Sequence, residues 1–178
     1  MTALDFVGVY DPVTRLKTMG FQSDLSWEIC ALTQTVTDGA GLTLIPTAIS
    51  PALETFDWVI VPGGVTSLVY AMTRDRPFIS WLQTAAACPL KASVCTGSLL
   101  LGAAGFLRDK PATTHPNAFQ ELQEFCPQVV NQRVVDAGEV ITARGVTAAI
   151  DLGLYLCKKV AGEEIKEEIR RRMDYQTD

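Results

Sequence analysis

The most informative stretch of this chain is Ala92-Ser93-Val94-Cys95-Thr96-Gly97-Ser98, which is followed by a run of leucines and small residues to Gly105. A short β-prone run ends at Cys95, and a helical pattern begins at once. This pattern is typical of a nucleophile elbow, a tight strand-to-helix turn that holds one side chain above a sheet. Gly97 leaves room for the helix to pack close to the strand, and Gly105 is placed to end the helix.

Cys95 is the first candidate for a catalytic residue. A thiol at an elbow faces the first free amides of the following helix, so we expect the thiolate to be favoured. The alternative is a buried thiol that acts only as a small apolar side chain. The other cysteines lack an elbow, and we expect Cys30 and Cys157 to be core residues; the full set is Cys30, Cys88, Cys126 and Cys157.

The composition predicts one globular domain over residues 1–178, with 48% hydrophobic and 20% charged residues. Five cysteines without close pairs favour a reducing compartment over a disulfide framework. A single histidine and the lack of a CxxC pair argue against a metal site. The net charge of −5 argues against binding to nucleic acid or anionic membranes. With neither an apolar leader nor a long apolar run, the sequence predicts a cytoplasmic protein.

Strand-like and helix-like patterns alternate, which predicts an α/β fold with a largely parallel sheet. The apolar run from Asp57 to Val61 is typical of a strand buried on both faces. It ends in Pro62-Gly63-Gly64, at the end of a strand where open α/β sheets place their ligands. The glycine amides, with that of Thr96, are therefore candidates to hold negative charge that develops beside Cys95.

Other segments have clear local patterns. We expect a strand around Ser26 to Leu32, a turn at Asp38 to Gly41, a helix near Pro77 to Ala87, a hairpin from Val134 to Thr142, and a charged helix from Glu163 to Met173. Between the last two, Val146, Ile150, Leu154, Cys157 and Ala161 recur at helical spacing. We expect this stripe to pack against the sheet.

A cysteine nucleophile needs a group that handles protons, and two residues are candidates. Histidine is the usual choice, and His115 is the only one in the chain. A carboxyl group is the other option, and Asp5 lies inside an apolar segment. Spacing alone places neither of them next to Cys95: His115 can be a structural loop residue, and Asp5 an exposed cap.

These segments resemble the ThiJ/PfpI superfamily, which is related to the class I glutamine amidotransferases, and within it the isonitrile hydratase branch. The resemblance lies in five segments that span nearly the whole chain in the expected order: Leu4 to Asp11, Val61 to Gly64, Ser93 to Ser98, Ala112 to His115, and Gly145 to Asp151. It implies a flavodoxin-like three-layer sandwich, a homodimer, a small-molecule substrate, and neither a metal nor an organic cofactor.

The resemblance also implies residue roles. The elbow cysteine is the nucleophile, which assigns that role to Cys95, and an N-terminal aspartate matches Asp5. Protease-like relatives carry a histidine directly after the cysteine, whereas this chain has Thr96. The implied reaction is hydration of an isonitrile to an N-substituted formamide through a thioimidate on Cys95. Asp5 would move the protons, its pKa raised by apolar neighbours, while Thr96 and the Gly64 amide orient the intermediate.

The chain departs from these relatives at two places. They carry an additional strand before the segment that matches Asp5, and this sequence has no counterpart from Met1 onward. We therefore expect either a truncated start or a sheet completed in another way, with Asp5 close to the chain terminus. The second departure is Arg144, where hydratase relatives tend to carry small residues. Arg144 either binds an anionic substrate or is an exposed loop residue.

Two further functions remain open from the sequence. One is glyoxalase or deglycase chemistry on 2-oxoaldehydes with the same Cys95. The other is a non-enzymatic redox sensor in which Cys95 is oxidised, since exposed thiols of low pKa are the susceptible ones. Related domains also occur fused to AraC-type DNA-binding regions, but no helix-turn-helix pattern follows here.

Overall fold

The computed structural model describes residues 1–176. Its helices are α1 (Ala3–Thr18), α2 (Thr66–Met72), α3 (Arg76–Gln83), α4 (Gly97–Ala103), α5 (Phe119–Leu122), α6 (Ala148–Ala161) and α7 (Glu163–Arg172). Its strands are β1 (Cys30–Ala31), β2 (Val36–Thr37), β3 (Thr43–Leu44), β4 (Ala48–Ile49), β5 (Trp58–Val61), β6 (Leu90–Val94), β7 (Pro111–Ala112), β8 (Gln128–Val129), β9 (Val134–Asp136) and β10 (Val140–Ala143). The alternation of helices and strands confirms the α/β class.

A four-stranded sheet in the order β5-β6-β10-β9 forms the centre of the fold. Strand β6 is parallel to both of its neighbours, and only β9 runs antiparallel. One face of the sheet packs against α1 and α6 through Val9, Leu152 and Leu156. The other face packs against α2, α3 and α4. The molecule is therefore a three-layer sandwich with a largely parallel sheet, as the sequence predicts.

Strand β5 differs from the expectation of a strand buried on both faces. It pairs with β6 alone and forms an edge of the sheet, so Trp58, Val59 and Ile60 are only half-buried. The short strand β1 pairs with β4 in a separate two-stranded sheet. Within residues 1–176, the first regular element is helix α1, so no strand precedes Asp5.

Helix α6 is correctly predicted, but its apolar stripe does not face the sheet. Leu154 and Cys157 pack with Leu16 of α1 and Ile169 of α7. The sheet is instead covered by a second set on the same helix: Ala148, Ala149, Leu152 and Leu156. Because α6 lies between the sheet and two helices, both of its apolar sides are used, and the spacing shows only one of them.

Helices α1 and α6 approach each other closely at two glycines. A Cβ on Gly8 would lie 2.6 Å from the Ala149 Cβ, and one on Gly153 would lie 2.3 Å from the Pro12 Cγ. Side chains at these positions would force the helices apart. This contact fixes α1, which carries Asp5, against the helix that follows the end of β10.

Most of the locally patterned segments fold as predicted, with two differences. The strand expected around Ser26 to Leu32 is reduced to β1, where Cys30 is half-buried rather than a core residue. The helix expected near Pro77 to Ala87 ends as α3 at Gln83 and is followed by a short 3-10 helix, Thr84–Ala87. Strands β2 and β3 form the hairpin around Asp38, whose carboxylate accepts hydrogen bonds from the amides of Ala40 and Leu42. Strands β9 and β10 form the second hairpin. Helix α3 starts after Asp75, whose side chain caps the Phe78 amide. The charged segment forms α7, in which only Ile169 is fully buried.

None of the helices within residues 1–176 combines the length and the apolar character needed to cross a lipid bilayer.

Candidate active site

Cys95 stands at the end of β6, in the strained turn that the sequence predicts. Its φ angle is +56°, in the left-handed region that residues with a side chain rarely adopt. Its amide donates to the carbonyl of Ala143 at 3.0 Å, which continues the pairing of β6 with β10. Its carbonyl accepts hydrogen bonds from the Thr114 hydroxyl at 2.9 Å and the Ser98 hydroxyl at 3.2 Å. These bonds hold the strained conformation from both sides.

Two glycines make the turn sterically possible. A Cβ on Gly97 would lie 2.3 Å from the Val61 carbonyl oxygen, so α4 reaches the end of β5 only without a side chain there. A Cβ on Gly63 would lie 2.6 Å from the Thr96 nitrogen and 2.8 Å from the Cys95 Cβ. The Pro62-Gly63-Gly64 loop is thus pressed against the elbow. At the far end of α4, Gly105 has a φ of +94° and ends the helix, as expected.

Asp5 lies next to Cys95 and is fully buried. It is in the first turn of α1, with 1% of its surface exposed, so the alternative of an exposed cap is wrong. The Thr2 amide donates to the Gly63 carbonyl at 2.9 Å, which anchors the start of α1 to the glycine loop. Burial raises the pKa of Asp5 to about 6, although the nearby Cys95 thiol and Gly63 amide partly oppose this shift. Neither carboxyl oxygen has a hydrogen-bond partner of good geometry.

The protonation state of Cys95 differs from the expectation. Its thiol is 3% exposed, and burial, followed by the negative charge of Asp5, raises its pKa to about 12. The Thr96 amide and hydroxyl act in the opposite direction, but they do not outweigh the loss of water. The expectation that the elbow favours a thiolate is therefore wrong for the resting protein. The thiol needs a neighbouring base in order to react.

Thr96 binds the glycine loop rather than open space. Its hydroxyl donates to the Gly64 carbonyl and accepts from the Gly64 amide, each at 2.9 Å. The Gly64 amide is thus occupied, which corrects the expectation that it orients an intermediate. The amides of Gly63 and Thr96 face Asp5 and the Cys95 sulfur, respectively.

His115 lies across a glycine from the thiol. The point that a Cβ on Gly145 would occupy is 2.7 Å from the Cys95 Sγ and 2.7 Å from the His115 Cδ2. The imidazole edge and the sulfur thus converge on one small space, which Gly145 leaves open. Nδ1 of His115 accepts from the Asn117 amide at 3.2 Å. This bond leaves Nε2, next to Cδ2, as the hydrogen-bond donor of the ring.

Arg144 directly follows β10 and borders the same space. Its carbonyl accepts from the Cys95 amide at 3.3 Å, and its own amide donates to the Arg133 carbonyl at 3.0 Å. The residue is half-buried, so it is not a freely exposed loop arginine.

The sequence leads to Cys95, Asp5, Thr96, Gly63 and His115, and the structure brings all five together. The sequence alone does not single out Gly145, Thr114 or Ser98 as site residues. A glycine and a serine carry no distinctive chemistry at positions 145 and 98. Thr114 is distant from Cys95 in the sequence and contacts it only in the folded protein. The only indication in the sequence is that all three residues lie within segments that carry the family resemblance. No cluster of histidine, cysteine or acidic residues suited to a metal ion occurs among the described residues.

The model of the DJ-1/PfpI family matches residues 4–159. The chain belongs to the DJ-1/PfpI family. A crystal structure of a ThiJ/PfpI family protein from Pseudomonas syringae superposes with a TM-score of 0.84 at 30% identity, covering 100% of this chain and 72% of that one.

Two relatives in sequence have different named functions. The isonitrile hydratase of Pseudomonas putida is 34% identical over 173 residues, which cover 97% of this chain and 73% of the hydratase. The HTH-type transcriptional regulator GbdR of Pseudomonas aeruginosa is 31% identical over 149 residues, which cover 76% of this chain and 40% of the regulator. The DJ-1/PfpI family thus includes both a named enzyme and a named regulator.

Proposed function

We propose that this protein is a cysteine enzyme that hydrates an isonitrile to an N-substituted formamide, with Cys95 as nucleophile and Asp5 as proton carrier. The observation that carries the proposal is the enclosed pair of a neutral thiol and an unpartnered carboxyl group. The 34% identity to an isonitrile hydratase over nearly the whole chain supports the same reaction.

The two pKa values define the starting state. Near pH 7, a carboxyl group with a pKa of about 6 is mostly ionised, and a thiol with a pKa of about 12 is protonated. The pair therefore holds one proton, on sulfur, beside a buried carboxylate without a hydrogen-bond partner of good geometry. Such a carboxylate is a stronger base than one in water, which suits it to take the thiol proton.

The first step joins the thiol to the terminal carbon of the isonitrile. Asp5 takes the proton from Cys95 and passes it to that carbon while the sulfur forms the S–C bond. The product is a thioimidate on Cys95, in which carbon has gained one hydrogen and one sulfur. Asp5 is again a carboxylate, so the charge of the site is unchanged.

The second step releases the product. Asp5 takes a proton from water as the oxygen attacks the imidate carbon, and the nitrogen receives that proton. The resulting tetrahedral intermediate collapses to the formamide as the C–S bond breaks. The proton of the new hydroxyl group returns through Asp5 to the sulfur. One water is consumed, and the pair regains its starting state.

The surrounding residues position this pair. The Thr96 amide faces the sulfur and stabilises the thiolate as it forms. The Thr96 hydroxyl fixes Gly64, and with it the loop whose Gly63 amide faces Asp5. In this proposal, the Nε2–H of His115 donates a hydrogen bond to the nitrogen or oxygen of the intermediate, which the nearness of the imidazole edge to the sulfur supports. No step needs a metal or an organic cofactor.

The raised pKa of Cys95 disfavours the alternative of a redox sensor, because the thiolate is the form that peroxide oxidises. Chemistry on 2-oxoaldehydes uses the same nucleophile and is a direct competitor of the proposal. We also propose that the protein is one domain and acts as a homodimer in the cytoplasm, as the family resemblance implies. Sedimentation equilibrium of the full chain measures the oligomeric state.

A substrate comparison tests the reaction. The reduced protein is incubated with a neutral aromatic isonitrile and, separately, with a 2-oxoaldehyde, and the products are quantified by chromatography and mass spectrometry. We expect formamide from the isonitrile at a rate proportional to protein concentration. Consumption of the oxoaldehyde without any formamide from the isonitrile would overturn the proposal in favour of the alternative.

A further inference from the structure

Arg144 is an arginine beside the thiol without an acidic partner. Among residues 1–176, its side chain forms neither an ion pair nor a hydrogen bond. Arg133, by contrast, forms an ion pair with Asp151 and donates a hydrogen bond to the Thr147 hydroxyl. The net charge of the chain is −5, so acidic residues are not scarce. The residue is half-buried, and the donors of its guanidinium group are not taken up by acceptors of the described residues, so they are free to bind a ligand.

The backbone of Arg144 is fixed at the wall of the site. Its carbonyl accepts from the Cys95 amide, and its neighbour Gly145 is the residue that separates the sulfur from His115. The side chain extends toward the segment that begins at His115, since its guanidinium carbon lies 6.0 Å from the centre of the Phe119 ring. Arg144 therefore spans from the end of β10 to the segment that follows His115.

The charges around this space are complementary to an anion. His115 contributes an Nε2–H donor, and Arg144 contributes a permanent positive charge with a planar set of donors. The acidic group next to the thiol is Asp5, which is fully buried. Guanidinium groups bind carboxylates in a two-point geometry, which favours that anion over a diffuse charge.

We propose that Arg144 binds an anionic group of the substrate, so that the substrate class is an isonitrile whose substituent carries a carboxylate. The isonitrile part rests on the proposed function; the anion site does not. The carboxylate is held at Arg144 while the terminal carbon faces Cys95, which sets the orientation of the substrate before the S–C bond forms.

The anion site can be measured without any turnover. Iodoacetate and iodoacetamide alkylate a thiol by the same substitution and differ mainly in charge. The ratio of their rate constants at Cys95, obtained by mass spectrometry of the Cys95 peptide, reports the local preference for an anion. We expect Arg144→Gln to lower the iodoacetate-to-iodoacetamide ratio by about tenfold. Arg144→Lys should retain part of the preference for iodoacetate, because lysine keeps the positive charge but lacks the planar set of donors of a guanidinium group.

A matched control removes the effect of net charge. Arg172 lies on α7, pairs with Glu168, and is distant from β10 in the chain. Arg172→Gln changes the net charge of the protein by the same amount, and it should leave the ratio at the wild-type value. Equal ratios in the wild type and Arg144→Gln would overturn the anion site, as would an equal fall in Arg172→Gln.

Turnover separates this inference from the proposed function. An isonitrile with a carboxylate is compared with its methyl ester, and the ratio of kcat/KM values should fall in Arg144→Gln. If the wild type hydrates neither compound while the alkylation ratio depends on Arg144, the hydratase function fails and the anion site remains. If the ester is hydrated but neither ratio depends on Arg144, the anion site fails and the hydratase function remains.

Discussion

The Asp5 carboxyl group lies beside the Cys95 thiol, and both are removed from water. Asp5 is 1% exposed and Cys95 is 3% exposed. Burial, together with the charge of Asp5, raises the pKa of the thiol to about 12, while burial raises the pKa of Asp5 to about 6. The two residues come from the first turn of α1 and the end of β6.

The activity should depend on a group with a pKa of about 6. In the proposed reaction, Asp5 must be ionised to accept the thiol proton, so protonation of Asp5 stops the first step. We expect kcat/KM for a neutral isonitrile to be level above pH 7 and to fall about tenfold per pH unit well below pH 6. A profile that stays flat from pH 5 to pH 8 would contradict this role. Asp5→Asn should lack the base and lose at least about a hundredfold in rate.

Asp5→Asn should also stabilise the protein near neutral pH. The pKa of Asp5 is higher in the folded protein than its ordinary value of 3.8, so its ionisation opposes folding. The stability that the neutral Asp5 carboxyl group contributes is fully present below pH 3.8 and is lost as the pH rises through about 6. An amide remains neutral throughout, and the shift corresponds to about 3 kcal/mol. Urea unfolding should show that gain at pH 7.5 and little of it at pH 4. A gain of the same size at both values would show that another effect is responsible.

Gly145→Ala should close the space next to the sulfur. The new methyl group would lie 2.7 Å from the Cys95 Sγ and 2.7 Å from the His115 Cδ2, closer than contact distance. We expect alkylation of Cys95 by iodoacetamide to slow by more than about tenfold, with a loss of about 1–3 kcal/mol in stability. Gly39→Ala is the matched control, because its methyl group meets only the Val65 side chain, at 3.8 Å. Alkylation of Gly145→Ala at the wild-type rate would contradict the position of Gly145 between the Cys95 sulfur and His115.

Thr96→Val should loosen the glycine loop. Valine has nearly the same shape, but it cannot replace the two hydrogen bonds between the hydroxyl group and the backbone of Gly64. Leaving these buried groups without partners should cost about 1–3 kcal/mol of unfolding free energy. Thr96→Ser keeps the hydroxyl group and should recover most of the stability and the activity. If the valine and serine variants unfold at the same urea concentration, the hydroxyl group does not hold the loop.

The elbow could be predicted from the sequence because its signals are local. The strand, the turn at Cys95, the close packing at Gly97 and the helix end at Gly105 lie within fourteen residues. Asp5 could not be placed in this way. It lies ninety residues earlier in the chain, and its apolar neighbours fit a buried acid as well as an exposed cap. Only the resemblance to a family connected it to Cys95.

Three expectations from the sequence are wrong for the same physical reason: each property depends on neighbours that are distant in the sequence. The thiol pKa depends on burial beneath the Gly63 loop and on the charge of Asp5, not on the amides of α4 alone. The Gly64 amide is occupied because Thr96 is near it in space. The apolar run of β5 reads as a central strand, yet it has a partner on one side only. Hydrophobic spacing reports that a face is covered, but not by what.

The role of Cys95 as nucleophile is tested by the rate of formamide production by Cys95→Ala, measured beside the wild type. Cys30→Ala is the control, because Cys30 is a half-buried thiol on β1, outside the elbow. With a neutral aromatic isonitrile at pH 7.5, the account predicts turnover by the wild type and by Cys30→Ala, and none above background by Cys95→Ala. Formamide production by a folded Cys95→Ala at the wild-type rate would contradict the account.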